Sequence, residues 1–497
     1  MITYLSVFVK YFHSTDNITV SQNPSLIFRT DIETQAIICY NRRINNETEK
    51  FMKLKLDTKR TFLVGFAFLA ITAFWQMYDG LIPKMLTGTF EINETISGVI
   101  MAADNVLALF LLPLFGRLSD RCSTSIGKRR PFIISGMILT LILMIWIPII
   151  DNSYFAAPSS TKIILFIGVL ALLLVTMSFY RSPAVALMPD ITPKPLRSKA
   201  NAIINLMGAV GGVLYLLFTT VMYPSSKTEG VDHVNYIPLF VAVMAVILIS
   251  LAMIIFFVNE PKLVKKQQEY EDAHPEENLT ETSDDNKTVI PKPVRKSLIF
   301  LLLSVAFWYV GYNGISTWFT VFAEEAWGVG IGGSSLCLTI ATAAAIVCYI
   351  PAGIVASKIG RKKTIIIGAL LLASSFLAGF IYTLFVSTFN PALYALFALV
   401  GIAWATINVN SFPMVVEMCH GGDIGKFTGL YYSFSMAAQI VTPIVAGALI
   451  QYVSYKSLFL YSAIFVFLSF VTMCFVKHGD TKIERKKGLE AFDVDCD

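Results

Sequence analysis

Charge is scarce in this chain of 497 residues: 34 acids and 39 bases make up 15% of it, against 55% hydrophobic residues. That is too little polar surface for a soluble protein of this size. The seven cysteines (Cys39, Cys122, Cys337, Cys348, Cys419, Cys474, Cys496) lack the short paired spacing of a metal or redox site. The five histidines (His13, His233, His274, His420, His478) fall in predicted loops, tails or span ends, so no histidine proton relay is visible. There is no Walker loop, dinucleotide fingerprint or zinc-protease helix. No cluster of nucleophile, base and metal ligand can be assembled from the intramembrane residues either. Neither ATP hydrolysis, an enzyme activity nor a cofactor is expected.

What the chain does contain is apolar runs. Twelve stretches reach the roughly 20 residues that a spanning helix needs. They lie near 62–83, 96–115, 131–150, 163–187, 201–222, 236–258, 298–322, 333–355, 364–387, 391–416, 428–452 and 457–476. Alternating strands are absent, and in lipid the backbone must satisfy its own hydrogen bonds, so the predicted fold class is an all-α membrane protein.

The spans form two sets of six carrying the same marks. "AFWQMYDG" (Ala73 to Gly80) returns with one insertion as "AFWYVGYNG" (Ala306 to Gly314), making Asp79 the counterpart of Asn313. "GRLSDRCSTSIGKRRP" (Gly116 to Pro131) returns as "GIVASKIGRKKT" (Gly353 to Thr364). Asp190 and Lys199 after span four keep the spacing of Glu417 and Lys426 after span ten. Three echoes in one order indicate a duplicated protein.

Bases crowd the even-numbered loops (Arg117, Arg121, Lys128, Arg129, Arg130; Lys194, Arg197, Lys199; Lys358, Arg361, Lys362, Lys363), while acids such as Glu91, Glu94, Asp232, Glu324 and Glu325 mark the odd ones. The positive-inside rule then puts both termini in the cytoplasm and accounts for the net charge of +5 without nucleic acid. The predicted parts are an N-terminal extension 1–59, a six-helix unit 60–258, a solvated linker 259–296 with a disordered middle, a second six-helix unit 297–477, and a tail 478–497. Residues 1–51 lack an apolar run long enough for a signal peptide, and Met52, before "MKLKLDTKR", is the expected initiator.

Ionisable groups inside spans are costly and are retained where they face a cavity or partner. Asp79 lies nineteen residues beyond Arg60, roughly 28 Å of helix, in the outer half of span one, where Gly80 and Pro83 favour a break. It reads as a proton or hydroxyl acceptor at a substrate cavity, with a helix-end acid as the plainer alternative. Asp104 lies twelve residues before Gly116, about 18 Å from the basic end and close to mid-membrane. It is the candidate coupling acid, and Arg181 its natural charge partner; a structural hydrogen bond and a snorkelling arginine are the alternatives. Trp308, Tyr309, Tyr312 and Asn313 in span seven, with Trp75, Gln76 and Tyr78 in span one, combine flat rings and hydrogen-bonding groups suited to a sugar.

The loop "GRLSDRCSTSIGKRRPFI" closely resembles that of sucrose and other glycoside proton symporters, a branch of the major facilitator superfamily related to the glycoside, pentoside and hexuronide cation symporters. The likeness covers residues 60 to 477 and is strongest over 104–133 and 181–201. It implies two pseudo-symmetric six-helix bundles rocking about a central site, with the loop motif as a cytoplasmic latch. In that latch Asp120 would lie near a helix end of the opposite half, with Arg121, Arg129 and Arg130 completing contacts that hold the outward-open state. The motif glycines Gly116 and Gly127 and the second-copy residues Gly353, Gly360 and Arg361 belong to the same device.

One departure stands out. Plant sucrose symporters carry an acid and an arginine in span four where this chain has Leu174 and Val185. The expectation is thus a monomeric sugar or glycoside symporter of the plasma membrane, coupled to a proton, with sodium as the other candidate cation. An exporter or antiporter of amphipathic compounds and a transport-incompetent sugar sensor are the alternatives.

Overall fold

The structure, a computed structural model, describes residues 56–193, 196–228, 231–273, 291–418 and 424–480. The N-terminal extension with Met52, and the middle of the linker, lie outside the described residues.

Twelve helices are long and apolar enough to cross a bilayer. The first half holds α1 (Thr58–Lys84), α2 (Glu94–Arg121), α3 (Arg130–Ala156), α4 (Ser160–Ile191), α5 (Arg197–Met222) and α6 (Ile237–Phe257). The second holds α7 (Lys292–Trp327), α8 (Ile331–Ile359), α9 (Arg361–Phe385), α10 (Leu393–Val416), α11 (Ile424–Tyr452) and α12 (Ser457–Cys474). Each expected span is met within a few residues, and among the described residues no strand forms.

Local chemistry sets the ends. Asp57 and Asn93 cap α1 and α2, accepting the N–H groups of Arg60 at 3.2 Å and Ile96 at 2.8 Å. Proline occupies the first turn of α3, α6 and α7, where its missing N–H costs nothing. Helix α3 breaks at Ile145, next to Met144, whose carbonyl Pro148 leaves without an N–H. Helix α1 does not break at Gly80 and Pro83 as expected. It runs through Asp79 and passes into a π-helical turn, Met85–Thr89, only after Pro83.

Ile164, Val221, Phe256 and Phe385 point outward, the arrangement helices adopt when lipid is their solvent. Between the halves, α1 packs on α7, α2 on α11 and α5 on α8. The α2–α11 crossing is so close that a Cβ at Gly98 would lie 2.3 Å from the Pro443 carbonyl oxygen.

The linker departs from the sequence reading. It opens with a helix, Glu260–Ala273, and Glu260 is buried. The tail likewise begins docked, His478 Nδ1 lying 2.8 Å from the Ser297 hydroxyl.

Candidate functional site

The two ends of the molecule are built differently. At the end bearing the acidic loops, polar contacts join the halves. Lys84, buried at the end of α1, pairs with Glu324 of α7 at 2.8 Å. The Thr320 hydroxyl donates to the Gly80 carbonyl at 2.8 Å, and the Tyr455 hydroxyl donates to Glu94 at 2.5 Å. The Gln451 side chain accepts from the Thr95 N–H at 3.2 Å.

At the basic end, the motif residues make their contacts within each half. Arg129 bonds Asp190 through Nε at 2.8 Å and Asp120 through Nη2 at 2.5 Å. Burial alone would lower the Arg129 pKa, but the hydrogen bond and charge of Asp190, then Asp120, raise it above the ordinary guanidinium value. Asp120 was expected near a helix end of the opposite half; here it turns to Arg129 of its own. Arg121 is exposed, Gly116 faces Ser182 of α4, and the guanidinium of Arg130 donates to the Ile255 carbonyl at 2.7 Å.

The duplicated marks coincide in space. Arg361 pairs with Glu417 as Arg129 does with Asp190. Gly127 and Gly360 both have positive φ, 117° and 97°, a region that disfavours a Cβ. Each sits under a carboxylate, from Glu260 in the first half and Asp480 in the second. Asp480 accepts the Arg361 N–H at 2.7 Å. A Cβ added at Gly353, by contrast, would meet only the edge of Val409, at 4.0 Å. Neither Glu260 nor Asp480 stood out in the sequence, because a carboxylate just after a span looks like any loop acid.

Within the spans, polar groups collect, with Asp79 in the outer half of α1. Asp79 of α1, Asp104 of α2 and Arg181 of α4 are half-buried, and the charge of Asp104 acts on both of the others. Asp104 accepts from the Asn105 amide at 2.7 Å, and it makes no ion pair with Arg181 among the described contacts. The guanidinium of Arg181 lies 5.5 Å from the centre of the Trp75 ring, within cation–π range. Gln76 sits against Gly212 of α5.

Across the bundle, Tyr312 stacks on Trp404 of α10 with centroids 3.8 Å apart, and Tyr309 meets the same ring edge-on at 5.7 Å. The Tyr309 phenol lies beside that of Tyr431, whose hydroxyl is 3.0 Å from that of Ser411. The indole N–H of Trp75 and the amide N of Asn313 are buried with no partner among the described residues, so both are free to donate to a ligand. Trp308 also has an indole N–H without a partner among the described residues, and Tyr78 meets the Trp75 ring edge-on at 5.5 Å, but both side chains are enclosed. Trp308 is fully enclosed in the core of the second half, and Tyr78 packs between α1 and α2 with its hydroxyl 3.5 Å from the Ile100 carbonyl. Both were expected at the substrate; close packing of the neighbouring helices encloses both rings, although each shares a helix face with a residue of the cluster. The missed residue is Trp404, which sits in α10 outside any repeated mark.

Comparison with known proteins places this architecture. The sequence profile of the Major Facilitator Superfamily matches residues 64–332 and 323–495. Sucrose transport protein SUT3 of Oryza sativa subsp. indica is 30% identical over 152 residues, which cover 28% of this chain and 30% of that protein. Sucrose transport protein SUC3 of Arabidopsis thaliana is 28% identical over 152 residues, 28% of this chain and 25% of that one. The chain thus spans less than a third of the length of these curated relatives. Among solved structures, a D-xylose-proton symporter superimposes with a TM-score of 0.62 at 16% identity, covering 85% of this chain and 98% of that one. The xylose transporter XylE from E. coli, in an inward open conformation, gives 0.61 at 15% identity over 88% and 98%. A bacterial homologue of the iron transporter ferroportin, inward-facing, gives 0.63 at 12% identity over 84% and 99%. At these identities the likeness is one of fold. The chain belongs to the Major Facilitator Superfamily and is a multi-pass membrane transporter, not an enzyme.

Proposed function

We propose that this transporter carries a sugar or glycoside together with a proton by alternating access, with its basic loops and both termini on the cytoplasmic side of the plasma membrane. The observation that carries the reading is the division of labour within the spans. One half supplies Asp79, Asp104 and Arg181, the other an aromatic wall of Tyr309, Tyr312 and Trp404 beside the amide of Asn313. Flat rings stack on the apolar C–H faces of a sugar, while unpartnered donors and carboxylates take its hydroxyls. Two carboxylates and one guanidinium leave a single excess negative charge for a cation or proton to cancel, as a coupled carrier requires. The partial likeness to sucrose transport proteins supports the same substrate class.

With the halves joined at the acidic end, the conformation is read as inward-facing. The latch contacts of Asp120 across the halves belong to the opposite, outward-facing state. Rocking between the two requires breaking the Lys84–Glu324 pair and closing the basic end.

The test is external pH in a lightly buffered, de-energised suspension of cells expressing the chain, as sucrose, maltose and other glycosides are added in turn. A transient alkalinisation with one sugar supports symport and names the substrate. Silence toward every sugar, with expression confirmed, overturns it.

A further inference from the structure

The acidic end of the first half holds a titratable group that the transport route does not use. Asp151, in the last turns of α3, has no solvent exposure, and neither of its oxygens accepts a hydrogen bond among the described residues. Thr89, in the π-helical turn, supplies the adjacent hydroxyl, in a contact looser than a hydrogen bond. Among the described residues its one ion-pair partner is His233, in the segment between α5 and α6, whose Nε2 lies 3.6 Å from Asp151 Oδ2.

The protonation pattern of His233 follows from a chain of hydrogen bonds. The backbone N–H of Ile237 donates to Asn235 Oδ1 at 3.0 Å, which fixes that amide. Asn152 must then turn its Nδ2 toward Asn235 Oδ1, at 2.9 Å, leaving Asn152 Oδ1 to accept from His233 Nε2 at 2.8 Å. Nε2 therefore carries the hydrogen, and Nδ1 is the position that gains or loses a proton. The imidazole stacks on Phe155, centroids 4.5 Å apart, and Tyr223 donates to the Asn235 carbonyl at 2.7 Å. The segment 231–236 is thus docked on α3 through this one polar cluster.

We infer that Asp151 and His233 form a proton-binding site at the acidic end, separate from Asp79 and Asp104, which docks segment 231–236 while it holds a single proton. Two protons would leave a largely buried imidazolium, and none would leave a fully buried carboxylate with only the loose contact of the Thr89 hydroxyl; both are costly away from water. Burial indeed holds the His233 imidazole below its ordinary pKa. Around the pair, Asp232 is exposed, Lys162 of α4 is occupied with the Ser153 and Ala157 carbonyls, and the charges of Glu324 of α7 and Asp151 both act on Tyr236. Burial pushes the Tyr223 and Tyr236 phenols up, so neither titrates near neutrality. A sequence reading sees a histidine in a loop and an acid at a helix end, and nothing links them.

The test does not depend on what is transported. Amide hydrogen exchange of peptides covering 231–240 is followed in the full chain in lipid nanodiscs from pH 5 to 9, corrected for intrinsic exchange. Protection should peak at intermediate pH and fall on either side by up to about tenfold per pH unit, the limit for one proton. Asp151→Asn, a neutral isostere of the protonated acid, should remove the fall on the alkaline side. His233→Gln should remove the fall on the acid side. Protection that is flat in the parent chain, or limbs that neither substitution alters, would overturn the proposal. Should Asp151→Asn not fold, the acid limb of His233→Gln decides alone: its loss supports the site and its survival sinks it.

Discussion

The carboxylate of Glu260 closes over the backbone of Arg129, 131 residues earlier, accepting its N–H at 2.9 and 3.0 Å through both oxygens. The same group takes the N–H of Lys128 at 2.7 Å and of Arg130 at 2.8 Å. It therefore caps α3 from outside the helix, a role local residues play elsewhere, and meets the positive end of the helix dipole. The first residue of the linker helix is in this way fastened to the motif loop.

Glu260→Ala should leave three N–H groups without their partner, that of Arg129 buried and those of Lys128 and Arg130 part-buried, and destabilise the protein by about 2 to 4 kcal/mol. Gly127→Ala should do comparable harm by forcing a Cβ to within 2.3 Å of Glu260 Oε2 at positive φ. Thermal unfolding in detergent measures both. A melting point unchanged in either variant would show that the cap is dispensable.

Asp104→Asn should abolish accumulation against a gradient while leaving counterflow exchange, because an amide keeps the shape of the acid but carries no proton. Asp79→Asn should weaken both, since Asp79 is placed to serve substrate as well as coupling. Uptake into vesicles with and without an imposed pH gradient separates the two. Undiminished accumulation in Asp104→Asn would remove that residue from the mechanism.

Glu324→Gln should favour opening at the acidic end. Glu324 is 42% exposed, so its pair with Lys84 is worth about 0.5 to 1 kcal/mol after solvent screening, a roughly two- to fivefold shift in the two-state equilibrium. Labelling of a cysteine placed near Thr95 by a membrane-impermeant reagent reports the change. Equal labelling rates in parent and variant would mean that the other polar contacts, not the ion pair, hold this end shut.

Trp404→Leu should raise the half-saturation concentration for sugar about fivefold, the loss of roughly 1 kcal/mol of stacking, with little effect on the maximal rate. Trp308→Leu should instead lower stability, because that ring is enclosed in the core. Transport kinetics beside melting curves distinguish the roles, and the opposite pattern would return Trp308 to the substrate.

How far the sequence reached depended on the range of the physics involved. Span length and hydropathy are local properties, so twelve helices and a duplicated plan were legible, and the echoes led to real counterparts: Arg129 with Asp190, Arg361 with Glu417. Intramembrane charge is too costly to be incidental, which is why Asp79, Asp104 and Arg181 stood out before any contact was known. Which side of a helix a residue takes, and what it meets there, depends on its neighbours. Trp308 and Trp404 look alike as letters, yet packing encloses the first and helical phase stacks the second on Tyr312. Glu260 over Gly127 and Asp151 beside His233 join residues more than eighty positions apart, through hydrogen bonds and burial that exist only once the helices have packed.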